Sequence, residues 1–209
     1  MTLEKASRTT VSPALPEAAA VLCEAFRDYP VMRYILGPAP DYDRRLRKLV
    51  DFFVLARALR QEPILGVRDP SGVLVAAALV TLPGDRPSPP ELVRRREELW
   101  TELGAAARRR YVTYGAAAAS FPLTEPHHHL NMIGVRRDHM GRGLARVLIE
   151  AVHELARVDP GSSGVSLDTE SETNVSLYQH LGYALLGHAR VDEGLTTWAL
   201  FKPKNQEPA

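Results

Sequence analysis

Residues 128–152 read HHLNMIGVRRDHMGRGLARVLIEAV, and the change of pattern inside this stretch decides the fold. His128 to Val135 has the length and apolar content of a buried strand. From Leu144 onward the apolar positions Leu144, Val147, Leu148, Ala151 and Val152 recur at three and four, which is a helical stripe. Gly141 and Gly143 stand between the two, at the opening of a helix predicted over 141–157. Without side chains there, an anionic group can approach the backbone, and the unpaired amides and positive dipole end of the helix favour phosphate oxygens. Arg142 and Arg146 add positive charge, although glycines before a helix also serve as ordinary turn residues. No Gly-Lys-Ser/Thr follows, and the spacing fits the dinucleotide fingerprint poorly, so the ligand expected is a phosphate-bearing group of another kind.

Outward from this stretch the chain alternates. Downstream come a turn at Asp159-Pro160-Gly161, a strand at 164–169, a helix at 172–181 and strands at 183–191 and 195–202, an order that predicts an α/β sheet with a helical crossover. Asn174 and Tyr178 share one face of the 172–181 helix. A phenol there can donate a proton to a leaving group and an amide can hold a ligand carbonyl, while the same tyrosine can equally anchor the helix to the sheet. Upstream, a short strand at Thr9–Val11 precedes helices at 17–29, 31–36 and 41–60, the last with its arginines expected on the solvent side. Strands at 63–68 and 73–82 are joined by Asp69-Pro70-Ser71-Gly72 as a hairpin. Pro83 to Pro90 holds four prolines in eight positions and reads as a loop, followed by helical segments at 91–103 and 105–119.

Composition narrows the function classes. The 209 residues carry 26 Lys+Arg against 25 Asp+Glu, so no global field recruits nucleic acid. The apolar run from Val73 to Val80 is far shorter than the roughly 18 residues of a membrane-spanning helix, and no membrane partner is expected. One cysteine, Cys23, cannot form an internal disulfide, and the expected location is the cytoplasm. His127-His128-His129 lacks a nearby third ligand type, so strand-entry histidines are expected and no metal. Arg94 to Arg96 and Arg108 to Arg110 read as solvated helix faces.

Strand, Gly-Arg-Gly at a helix start, strand, Asn174-x-x-x-Tyr178 helix, Leu181-Gly182-Tyr183 and strand together resemble the acetyl-CoA-binding core of the GNAT superfamily of N-acetyltransferases, over about 127–202. Ala25-Phe26-Arg27-Asp28-Tyr29-Pro30 and Leu167-Asp168-Thr169 extend the resemblance toward the puromycin N-acetyltransferase-like enzymes that modify small molecules. The resemblance implies a mixed, mostly antiparallel central sheet flanked by helices, with a V-shaped opening between the strands at about 128–135 and 164–169. It implies one domain over 1–209, with acceptor-pocket elements within 13–126. The family's pyrophosphate loop, Gln/Arg-x-x-Gly-x-Gly/Ala, maps to Met140, Gly141, Arg142, Gly143, Leu144 and Ala145, with methionine in the first place and Arg146 following.

By the same resemblance Ile133, Gly134 and Val135 pair their backbone with the pantetheine arm, Asn174 binds acetyl-CoA and Tyr178 protonates the departing thiolate. Asp168 is the expected base or amine anchor, with Glu170, Glu172 and His129 as further candidates. The activity implied is acetyl transfer from acetyl-CoA to an amine of a small molecule; an idle acyl-CoA-binding sensor or scaffold is the alternative. The apolar stripe of the terminal strand pair is suited to a homodimer.

Overall fold

The computed structural model describes residues 10–205. Thr9, the first residue of the strand expected at 9–11, lies outside them, and Val11 makes a single antiparallel bridge to Gly66. The helices α1 (Leu15–Phe26), α2 (Pro30–Leu36) and α3 (Tyr42–Leu59) come first, then the hairpin of β1 (Ile64–Arg68) and β2 (Leu74–Thr81). The long α4 (Pro90–Ala118) leads into β3 (His128–Val135), α5 (Leu144–Val158), β4 (Gly164–Thr169), α6 (Glu172–His180), β5 (Ala184–Asp192) and β6 (Leu195–Pro203). The strands form one sheet in the order β1-β2-β3-β4-β6-β5. Every neighbouring pair is antiparallel except β3 and β4.

Local chemistry accounts for the punctuation. Asp69 Oδ1 accepts from the amides of Ser71 at 2.9 Å and Val73 at 3.0 Å, closing the hairpin as its turn residues predict. α4 is broken at Gly104, whose φ of 83° is cheap only for glycine, so it consists of two helical segments meeting at a kink, as expected at 91–103 and 105–119. The helix expected from 141 begins instead at Leu144. Gly141 and Gly143 take φ of 72° and 75° and form the left-handed approach to the helix rather than its first turn.

Helices cover both faces of the sheet. Ala18, Leu22, Leu49, Trp100 and Met132 belong to one buried cluster, formed with α1–α4. Leu130, Leu148, Val152, Leu167 and Tyr178 belong to the other, formed with α5 and α6. β2 is buried along Leu74–Val80, between the layers, which is why that segment reads as a continuous apolar run rather than an alternation.

Leu130 and Met132, two residues apart on β3, would share a face of a regular strand, yet they pack into opposite layers. The sheet register explains it. Val80 pairs with Leu130 and Leu79 with Met132, so Asn131 is the extra residue of a bulge. Beyond it β3 no longer pairs with β4: their parallel ladder covers only His128–Leu130 against Val165–Leu167. The two strands then part, making the V-shaped opening.

Gly134 sits where α1 crosses β3. A Cβ built on it would lie 2.6 Å from the Ala25 Cβ and 3.3 Å from Leu22 Cδ2, and the backbone of α1 cannot recede without unpacking the layer. Gly134→Ala is therefore expected to lower unfolding stability by about 1–3 kcal/mol, read as an earlier urea midpoint at unchanged slope.

Candidate active site

The opening between β3 and β4 has different chemistry at each end. On one side, α5 follows the Met140–Gly143 loop. The first amides of a helix have no intrahelical acceptor, and the left-handed glycines expose backbone on the approach to them. A Cβ on Gly141 would meet nothing within 4 Å, so this surface is open to a ligand. The loop is pinned from α1: Glu24 accepts from the Arg137 amide at 2.8 Å and Arg136 Nη1 at 2.9 Å, and Arg137 Nη2 reaches Asp28 at 2.7 Å. A cradle of this kind, an amide-rich helix N-terminus held at the mouth of a gap, fits the diphosphate of a coenzyme A.

The side chains expected to assist are placed unequally. Met140 is 65% exposed and offers no polar contact. Arg142 Nη2 donates to the Asp138 carbonyl at 2.8 Å, and Arg146 is turned along its own helix to Glu150 at 3.0 Å. Leu144 is buried and anchors the helix start, so what the 141–146 segment presents to the gap is backbone amide rather than side chain.

Along β3, the Arg136 amide donates to the Val75 carbonyl at 2.9 Å. With the register Ala77–Gly134 and Ala78–Ile133, alternation turns Gly134 toward β2 and leaves the amides and carbonyls of Ile133 and Val135 facing the gap. Of the three residues expected to pair with a pantetheine arm, two are thus oriented for it. Gly134 instead supplies the close approach of α1.

At the far end of the gap lies a cavity of about 260 Å³, lined by β3, the end of β4, α6 and, across from them, residues of α1–α4. Alternation along β4 sends Val165 and Leu167 into the α5 layer and Asp168 to this cavity. Asp168 Oδ2 is 3.8 Å from His129 Nε2 and accepts no hydrogen bond among the described residues. Burial alone pushes its carboxyl up to about 6. His129, bonded through Nδ1 to Ser166 Oγ at 2.8 Å, is held down to about 4, first by desolvation and then by the charges of His127 and Arg57. The imidazole is therefore neutral near pH 7, and its proximity to Asp168 is not a resting ion pair.

Glu170, just beyond β4, is more deeply held. Its Oε1 accepts from Tyr114 at 3.0 Å and Thr197 at 2.9 Å, and desolvation pushes the carboxyl up to about 7 despite both bonds. The Tyr29 hydroxyl meets Thr169 Oγ1 at 2.8 Å and accepts from the Glu170 amide at 3.1 Å, tying the segment after α1 to the end of β4. Asn174 Nδ2 donates to Thr169 Oγ1 at 3.3 Å while lining the cavity, so its amide oxygen is the group it offers a ligand. Tyr178, one turn on, also lines the cavity, and its hydroxyl makes no hydrogen bond among the described residues. Burial raises its pKa, keeping it a donor. A second hollow of about 350 Å³ shares Ala118, His129 and Asp168 with the first and opens beside Phe121 and Leu186.

The model of the acetyltransferase (GNAT) domain family matches residues 92–199. The chain belongs to this family. It is an acyltransferase of the N-acetyltransferase kind, and its mixed sheet with the β3/β4 splay is the architecture of its structural neighbours. Among these, a protein of Corynebacterium glutamicum described as histone acetyltransferase HPA2 and related acetyltransferase aligns with a TM-score of 0.68 at 26% identity, over 97% of this chain and 99% of that one. Arylalkylamine N-acetyltransferase 2 of Aedes aegypti gives 0.64 at 15% identity, over 95% and 100% of the two chains. The ribosomal-protein-S18-alanine N-acetyltransferase of Escherichia coli gives 0.55 at 13%, over 96% of each. The last two share the fold.

Sequence reasoning gathered Asp168, Asn174, Tyr178 and the glycine loop around one gap. It did not place Tyr29, Tyr114 and Thr197 around Glu170, contacts that depend on packing between distant elements. Two groups need correction. Arg57 and Arg45, expected on the solvent side of α3, are turned inward: Arg45 Nη2 donates to the Leu103 carbonyl at 2.8 Å, and Arg57 lines the cavity. Arg110, expected on a solvated face, donates through Nε to the Ile35 carbonyl at 2.9 Å, because bent α4 packs across the end of α2. Arg94, Arg95 and Arg108 do lie exposed in ion pairs with Glu91, Glu97 and Glu98. His127 bonds the Glu125 carbonyl at 2.7 Å and His128 bonds Ser162 at 3.0 Å. Among the described residues no helix is long and apolar enough to cross a membrane.

Proposed function

We propose that this acetyltransferase transfers the acetyl group of acetyl-CoA directly to the amine of a small molecule, with Asp168 as the base and Tyr178 as the acid. The observation that carries the reading is the juxtaposition of an unbonded, half-buried carboxylate and an unbonded phenol on the wall of one cavity at the end of the strand gap. Bound acetyl-CoA supplies a thioester whose carbonyl carbon accepts the amine. Asp168 takes the amine proton as the nitrogen bonds to that carbon, and the Tyr178 hydroxyl gives a proton to sulfur as the C–S bond breaks. The gap-facing amides of β3 are placed to polarise the carbonyl oxygen. The second hollow gives Asp168 a route for returning its proton to solvent.

On this reading α1–α4 supply the acceptor wall and β3–β6 the acyl-donor side, so the two parts work as one catalytic unit, in keeping with a cytoplasmic enzyme of balanced charge. The cavity of about 260 Å³ beside Asp168 has room for a small acceptor. The test is thiol release from acetyl-CoA against a panel of amines, beside thermal shift with CoA. Release with small amines supports the reading. A shift without release from any amine favours an acyl-CoA-binding sensor, and no shift overturns coenzyme binding at the glycine loop.

Tyr178→Phe keeps the ring in its packing and removes only the donor. Turnover is expected to fall about tenfold, less than the usual 10²–10⁴-fold for a general acid because a thiolate already leaves readily, with CoA affinity unchanged. Steady-state kinetics beside CoA titration separates the two; unaltered kcat would remove Tyr178 from the acid role.

A further inference from the structure

We propose that the acceptor is an aromatic primary amine carrying a neutral oxygen at the end remote from its nitrogen, and that Arg57 and Asn131 bind that oxygen. This rests on the acetyltransferase reading above and names the substrate class for the same cavity.

The side of the cavity supplied by α1–α4 and the segments between them is rich in rings. Phe26 and Tyr29 meet edge-on at 5.0 Å, and Phe53 and Tyr111 stack at 6.2 Å with 30° between planes. Trp100 backs Tyr111 at 4.9 Å, fixing it. Faces and edges held in this way suit a flat ring, whose burial is favoured by both area and quadrupole geometry. An aliphatic polyamine would bring a second ammonium toward a guanidinium.

That guanidinium is Arg57, with its side chain only 16% exposed. Its Nη1 donates to Thr81 Oγ1 and, at 2.7 Å, to Asn131 Oδ1, and Thr81 Oγ1 donates to the same Asn131 oxygen at 2.8 Å. Asn131 Oδ1 is therefore occupied, and its Nδ2 and Arg57 Nη2 are donors with no partner among the described residues. The bulge puts Asn131 there, and both residues line the cavity. Asn131 is exposed and both donors reach the solvent of the cavity, so an oxygen acceptor on a bound molecule takes the place of water there.

Charge decides which oxygen. Glu62 Oε2 lies 3.0 Å from Arg57 Nε and already compensates its charge, although the two atoms are not aligned as a hydrogen bond. A carboxylate would add negative charge to a cavity that contains Asp168 and Glu170, whereas a phenol, ether or carbonyl oxygen adds none. Arg57, His129 and Asp168 all line the cavity, with His129 3.8 Å from Asp168. The acceptor is thus an amine at the Asp168 end, a ring between the aromatic walls and an uncharged oxygen at the Arg57 end.

The experiment compares 4-hydroxyphenethylamine with phenethylamine in the thiol-release assay. Wild-type kcat/KM is expected to favour the hydroxylated amine about tenfold, the range for a hydrogen bond to a charged donor. Removing Arg57 alone would leave Glu62 buried and unpaired, so the variant is the neutral pair Arg57→Gln with Glu62→Gln, accompanied by Asn131→Ala. CoA thermal shift establishes that each is folded. The preference is expected to fall toward one in the paired variant and to shrink in Asn131→Ala. A merely structural role would slow both amines together and leave the ratio intact, which overturns the proposal. So does a wild-type ratio near one, or release with an aliphatic polyamine but with neither aromatic amine; that last result leaves the acetyltransferase reading standing. No release with any amine overturns both.

Discussion

Asp168→Asn is expected to lower turnover by about 10²–10³-fold and, at pH 8, to leave the protein more stable than the wild type. Both effects have one cause. The carboxyl is buried against the cavity wall without a hydrogen-bond donor, which pushes it up to about 6 from an ordinary value of 3.8. In the unfolded chain it ionises near that ordinary value, so between about pH 4 and pH 6 the folded state binds the extra proton and stability falls as pH rises. Above pH 6 the ionised carboxylate costs the fold about 3 kcal/mol. An amide of the same shape avoids that cost and cannot accept the amine proton. Thermal melts at pH 5 and pH 8 should differ less for Asp168→Asn than for the wild type, while the wild-type rate should rise through pH 6 as the base ionises. Glu170, pushed up to about 7, adds its own fall in stability between about pH 4.5 and pH 7. If Asp168→Asn retains activity and the wild-type rate rises only near pH 7, the base is Glu170 instead.

Which parts of this site the sequence made readable follows from the range of the interactions involved. The glycine loop, the α5 stripe and the Asn174/Tyr178 face are local, because spacing along one element puts those groups together. The turn at Asp69 is equally local. The β3 bulge is not: HHLNMIGV contains no glycine or proline at Asn131, and the change of face between Leu130 and Met132 appears only when β3 is set against β2. The same holds for Arg57. On a helix rich in arginine the solvent-facing reading is the ordinary one, and only the arrival of Thr81 and Asn131 from the sheet gives this guanidinium partners inside. Glu170 likewise gains its environment from α4 and β6, elements that lie 56 and 27 residues away from it in sequence. Groups that depend on their own element could thus be named early, and those that distant elements bring to the cavity could not.

Gly143→Asp is expected to reduce CoA affinity about a hundredfold relative to Gly143→Asn, with no loss of folding stability relative to it. Gly143 has φ 75° and ψ 10° and is the N-cap of α5. Asn and Asp both tolerate this left-handed conformation better than other residues with side chains and have the same shape, so the two variants differ in charge and little else. The aspartate complements the helix dipole and should, if anything, hold the helix start more firmly. A diphosphate bound at the same amides then faces a fixed negative charge, and at an effective dielectric near 20 two unit charges 4 Å apart repel by about 4 kcal/mol, of which solvent at this open loop leaves roughly half or more. The affinity gap should narrow as salt is raised. Equal CoA affinity in the two variants would mean that the diphosphate lies elsewhere, since no rearrangement of a charge-only difference could hide its presence at the α5 amides.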